Sequence, residues 1–138
     1  MADVIYTSFK RDIMNGSIDL DTDTIKVMLV TSTYTVSSAH SKRSDITNEV
    51  SGTGYTAGGT AIGTPTVTNV STNGVFDGND VSWTTSTITA RGAVLYKSRG
   101  GASTADELIC YLDFGTDKVS TAGTFTISWN ASGILNLA

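Results

Sequence analysis

A proton-transfer reaction near neutral pH would have to use His40, because it is the chain's one histidine. Ser37, Ser38, Ser41 and Ser44 surround it. Serine is abundant throughout, however, and no Gly-x-Ser-x-Gly elbow presents a nucleophile, so a Ser-His-Asp scheme is not expected. One histidine also excludes a three-histidine or His-Glu-x-x-His metal centre. Asp19, Asp21 and Asp23 alternate as at the start of a calcium loop. The sixth and twelfth positions of such a loop need Gly and Glu, and here they hold Thr24 and Val30. A solvated acidic turn is the better reading. Gly52-Thr53-Gly54-Tyr55-Thr56-Ala57-Gly58-Gly59 is glycine-rich but lacks the spacing and the Gly-Lys-Ser/Thr ending of a phosphate loop. It reads as a tightly turning arm pinned by Tyr55. The thirteen Asp and Glu offer no distinguished pair for glycoside hydrolysis. Trp83, Trp129 and the five tyrosines could stack on sugars, but their alternation along strand-like runs favours core packing. The one cysteine, Cys110, lies in the apolar run Leu108–Leu112 and reads as a small buried hydrophobe. No enzyme, metal or cofactor is expected.

The elements that must position these residues are mostly strands. Thr and Ser crowd the 138 residues, with 14 Gly, 1 Pro and 16% charged residues. Threonine suits a pleated, half-solvated surface and weakens helices. The net charge of −4 and scattered basic residues argue against nucleic acid as a partner. Met1 to Tyr6 show no basic stretch leading into an apolar one, so no secretory signal is expected. No apolar run approaches the about 18 residues that span a bilayer. Neither a membrane nor a disulfide framework is therefore anticipated.

One helix is expected, over about 3–15: Val4, Ile5, Phe9, Ile13 and Met14 form an apolar stripe, Asp3 is a candidate cap, and Asn15-Gly16 is a stop. The nearly continuous apolar run Ile25–Val30 predicts a strand covered on both faces. Residues 33–64 read as a long, polar, Gly-rich arm with a short helical or strand turn near Ile46 to Val50. Thr66–Val70 alternates, predicting a half-buried strand. Val75-Phe76 and Val81–Trp83 flank Asp77-Gly78-Asn79-Asp80, the chemistry of a hairpin turn. Thr87–Ala90 and Ala93–Tyr96 are joined through Arg91-Gly92. Leu108–Phe114, Phe125–Trp129 and Ile134–Leu137 complete the series. The expected fold is mainly β: a single domain over 1–138, a β-sandwich or jelly-roll-like body of about eight strands with one short N-terminal helix.

Five stretches carry a resemblance: Ile25–Thr31, Thr47–Thr56, Ala90–Lys97, Tyr111–Gly115 and Phe125–Leu135. In this order and spacing the chain resembles a group of small virion structural proteins of tailed bacteriophages. The resemblance implies a particle component located in the virion and assembled in the host cytoplasm, most plainly a capsid decoration or cement protein. Its partner would be the major capsid protein or another virion protein. A head-tail connector or a tail or fibre component is the alternative, and a glycan-binding module a more distant one. A homo-oligomer, trimer or dimer, is expected, with no nucleic acid and no membrane involved. Long polar arms can order on contact with a neighbour. Ile5, Phe9 and Ile13 of the helix, with Tyr34 and Tyr55 of the arm, are therefore the expected interface residues.

Overall fold

In the computed structural model, which describes residues 2–138, the run Ile25–Val30 is strand β2, and it is buried on both faces. Its side chains alternate between two cores. Ile25, Val27 and Leu29 enter the larger cluster, with Phe76, Trp83, Ile88, Leu95, Ile109 and Phe125. Met28 and Val30 enter a second cluster with Tyr6, Tyr34, Val94, Tyr96, Leu108 and Tyr111. Burial on both faces explains why the run is apolar at every position but Lys26.

The remaining elements are β1 (Val4–Ile5), α1 (Thr7–Met14), β3 (Thr60–Ala61), β4 (Thr66–Val70), β5 (Asn73–Asp77), β6 (Val81–Lys97), β7 (Leu108–Ile127) and β8 (Leu135–Leu137). A five-stranded sheet runs β1-β7-β6-β2-β3, and a three-stranded sheet runs β4-β5-β8. Every pairing is antiparallel. Phe76 of β5 is buried in the larger core, and Leu135 of β8 packs against it. The result, among the described residues, is a mainly β, sandwich-like fold of eight strands and one short α-helix. None of the helices in the described residues is long and apolar enough to cross a membrane.

Several elements differ from the sequence reading. The helix starts at Thr7 rather than near Asp3, because Val4 and Ile5 pair with Tyr111 and Cys110 as an edge strand. Tyr6 is the N-cap and makes no side-chain capping bond. Asp3 instead accepts a hydrogen bond from the Asp113 amide at 2.7 Å. The stop is where it was expected, with the Asn15 N–H bonded to the Arg11 carbonyl.

Asp77–Asp80 does not close a hairpin. β5 and β6 lie in different sheets, so the turn carries the chain from one layer to the other. It is held in that course by the Asn79 N–H, which donates to the Gly63 carbonyl at 2.9 Å. The hairpin forms instead between β4 and β5, around Ser71 and Thr72, in unbroken register from Thr66–Asp77 to Val70–Asn73.

Arg91-Gly92, which joins two expected strands, lies inside a single one. β6 runs through it without a break, with an irregularity of register between Ala90 and Gly92. A Cβ on Gly92 would lie 2.5 Å from the Tyr111 ring, so this glycine admits an aromatic ring over the strand. β7 likewise fuses the two predicted strands at 108–114 and 125–129 into one.

Candidate functional site

Two regions are candidates for function: the 33–64 segment, singled out by its polarity and glycines, and the small sheet.

The 33–64 segment is a folded buttress. Tyr34, Val36 and Ile46 cover the second core, while Val50, Tyr55 and Ile62 pack on the first. The local element near its middle is a 3₁₀ turn, Arg43–Asp45, in which Asp45 accepts hydrogen bonds from the Ser41 and Lys42 amides. Those two bonds hold the Asp45 carboxyl below its ordinary range. Glu49 bridges to Val30 of β2.

From there a polar chain crosses the segment. The Tyr55 hydroxyl donates to Glu49 Oε2 at 2.5 Å and accepts from the Leu29 amide at 3.0 Å. The Gly58 amide also donates to Glu49, and the Tyr96 hydroxyl donates to the Gly58 carbonyl. Burial pushes the Tyr96 hydroxyl up to about 12 and that of Tyr55 higher still. The Arg43 guanidinium stacks 5.3 Å from the Tyr96 ring centroid and pairs with the fully buried Asp106 at 2.8 Å. Beside it Arg99 grips Glu107 through two bonds of 2.7 and 2.6 Å. That grip, opposed by burial, holds the Glu107 carboxyl below its ordinary range. The Leu29, Val30 and Tyr96 contacts tie the segment to β2 and β6, and Arg43–Asp106 ties it to the stretch just before β7, which is the work of a structural brace.

The glycines of this segment answer the same need. Gly59 has φ +75°, and a Cβ there would collide with the Val27 carbonyl. The backbone lies directly on β2, a packing role that replaces the phosphate-loop comparison.

The other chemical candidates are also absorbed by the fold. His40 Nδ1 and the Tyr34 hydroxyl are 2.9 Å apart, and Tyr34 bonds in turn to the buried Tyr6 hydroxyl at 3.0 Å. Burial pushes the Cys110 thiol up to about 12, so it is not a thiolate nucleophile at neutral pH. In the acidic turn, Asp23 accepts the Asp19 amide and pairs with Lys97 at 3.0 Å. No group of three or more His, Cys, Asp or Glu in the described residues is arranged to hold a metal. Trp83 is buried between Tyr55 and Phe125, which removes it from any sugar platform.

The five expected interface residues do not form one surface. Ile5 is 43% exposed on β1. Phe9 is buried in the larger core, with Ile13 and Tyr55 packed partly buried against it. Tyr34 is buried in the second core, on the opposite face of β2. In this chain Phe9 and Tyr34 are therefore core residues. A partner could reach Ile5 directly, and the other four only at their margins.

The surface that sequence reasoning passed over is the small sheet. All five residues of β4 are exposed, not half-buried as their alternation predicts. The cause is topological: β4 is the outer edge of a three-stranded sheet, beyond the cover that the larger core gives to Phe76. Val67, Val70 and Leu137 stand among the exposed large hydrophobic residues, at 49%, 59% and 68%. One sequence signal could have found this region. Residues 50–76 and 119–138 contain no Asp, Glu, Lys or Arg, so all of the small sheet but Asp77 lies in neutral sequence.

No family model matches the chain, and no curated protein or solved structure is found to be similar to it.

Proposed function

We propose that the protein is a structural component of a tailed-bacteriophage virion, acting as a capsid decoration or cement protein on the lattice of the major capsid protein. The observation that carries this reading is where the five resembling stretches meet. Ile25–Thr31 holds β2, which pairs with the Ala90–Lys97 half of β6. Tyr111–Gly115 lies along β7 beside that half. Thr47–Thr56 contributes the Glu49 and Tyr55 contacts to β2. Phe125–Leu135 supplies Phe125 and Ile127 to the same core. The resemblance thus follows the framework of the molecule rather than one loop. A rigid, internally braced body also suits a cement role, since a lattice clamp must transmit load without rearranging.

Immunogold labelling of purified particles tests the reading, using an antibody raised against this protein. Gold spread over the head is the expected result. Gold confined to the neck or tail would move the assignment to a connector or a tail or fibre component. Particles without label would overturn the virion reading.

A further inference from the structure

We propose that β4 is a self-pairing edge, at which a second copy of this chain adds its own β4 antiparallel to form a continuous six-stranded sheet. The inference concerns the isolated chain and does not depend on the virion reading.

The direction of the backbone groups is the first argument. The Ile134 N–H donates to the Phe76 carbonyl at 2.8 Å, so Phe76 aims its backbone groups toward β8. In an antiparallel ladder a residue's N–H and C=O point to one side, and the side alternates along the strand. Val67 sits opposite Phe76. It is therefore in a non-hydrogen-bonded pair and aims its own N–H and C=O outward, away from β5. Asn69, two residues on, does the same. Thr66, Thr68 and Val70 face β5.

These outward groups are self-complementary. A two-fold axis through Thr68 sets Val67 against Asn69 of the second copy, and Asn69 against its Val67, giving four N–H···O=C bonds. Thr68 then meets Thr68 of the second copy in a close pair, and Thr66 meets Val70. Thr–Thr and Thr–Val neighbours are favourable cross-strand pairs.

Edge protection is the second argument. Exposed edges are ordinarily blunted by short length, charge, proline or a bulge. The edge strands β1, β3 and β8 are two, two and three residues long. β4 has five residues, no charge, no internal proline and a regular register with β5. Charge is the third argument. The whole chain carries −4, yet Asp77 is the one charged residue in the three strands of this sheet. Two copies can therefore meet at β4 without bringing like charges face to face, whereas a strand chosen for opposite charge would find nothing to pair with. A five-residue edge is short, so the contact belongs to the weak, concentration-dependent class unless something else holds the copies together.

Register-specific cross-linking tests this. Thr68→Cys and Thr66→Cys are prepared separately and oxidised at high protein concentration; the native Cys110 is buried and contributes no background. Across the proposed axis the two Thr68 Cα atoms fall within disulfide range, about 4.5 Å apart, whereas the two Thr66 Cα atoms stand about 14 Å apart. Thr68→Cys is expected to give at least about tenfold more covalent dimer than Thr66→Cys. Adding Val67→Pro removes an outward amide and is expected to abolish that dimer while leaving the unfolding midpoint nearly unchanged. Equal cross-linking of the two cysteine variants, or none by either, would overturn the proposal. A Thr68→Cys variant that stays monomeric, and whose particle binding is lost with Val67→Pro, would also overturn it, assigning the edge to a strand of a different protein.

Discussion

The 33–64 segment and the β4-β5-β8 sheet exchange the roles that their sequences suggest. The segment is polar and glycine-rich and has little regular structure, yet Tyr34, Tyr55 and the Arg43–Asp106 ion pair bind it to both faces of the five-stranded sheet. The small sheet is regular and apolar in pattern, yet its outer strand is exposed along its full length. Regularity of secondary structure and depth of burial are thus separate properties. A segment without ladders can be held by side-chain networks, and a well-formed strand can stand at an edge with one neighbour.

The contrast would break most visibly at Gly59. Gly59→Ala forces a Cβ against the Val27 carbonyl in a left-handed conformation, and is expected to cost about 4 kcal/mol in urea unfolding. Arg43→Ala leaves the buried Asp106 carboxylate without its cation and is expected to cost about 3 kcal/mol by the same measurement. A loss under about 1 kcal/mol for either would mean that the segment is not a brace. Tyr55→Phe removes one hydroxyl that serves both Glu49 and the Leu29 amide, with an expected loss of about 2 kcal/mol.

Acid should loosen the brace in a defined direction. The folded-state pKa of Glu107 is lowered, chiefly by its hydrogen bonds from Arg99. Its contribution is therefore complete above the unperturbed value of 4.5 and is lost as pH falls through the lower folded value. The Asp45 carboxyl acts in the same sense from its unperturbed 3.8 downward. Thermal midpoints are expected to fall below about pH 4.5, and to fall less steeply in Glu107→Gln. The smallest effect belongs to the exposed sheet. Val67→Thr is expected to change unfolding stability by less than about 0.5 kcal/mol, since it alters a surface edge position. A loss above about 2 kcal/mol would mean that β4 is part of the core after all.

Fold class was legible because it rests on local preferences that accumulate. Threonine-rich alternation, glycine turns and the doubly apolar run at Ile25–Val30 each favour strands, and the structure contains them. The Asn15-Gly16 stop and the burial of Cys110 follow from equally local rules. Errors cluster where a neighbour distant in sequence overrides a local signal. Pairing with Tyr111 and Cys110 takes Val4 and Ile5 out of the helix, and the contact of Asn79 with Gly63 helps carry a hairpin-like turn between sheets. The burial of Phe9 and Tyr34, two of the expected interface residues, escaped the sequence for a related reason. An aromatic residue in a polar stretch, such as Tyr34 or Tyr55, looks the same in sequence whether it awaits a partner or already packs on its own core.

By itself, then, the sequence determined the strand-rich class, the position of the one helix to within a turn, the doubly covered strand β2 and the acidic, weakly charged character of the chain. Periodicity, propensity and charge are local quantities, and they need no knowledge of neighbours. Only the tertiary structure decided which strands are edges, that 33–64 is a brace, and that β4 is an outer strand exposed along its length. Those properties depend on what each backbone group meets across the sheet, and long-range pairing alone supplies that information.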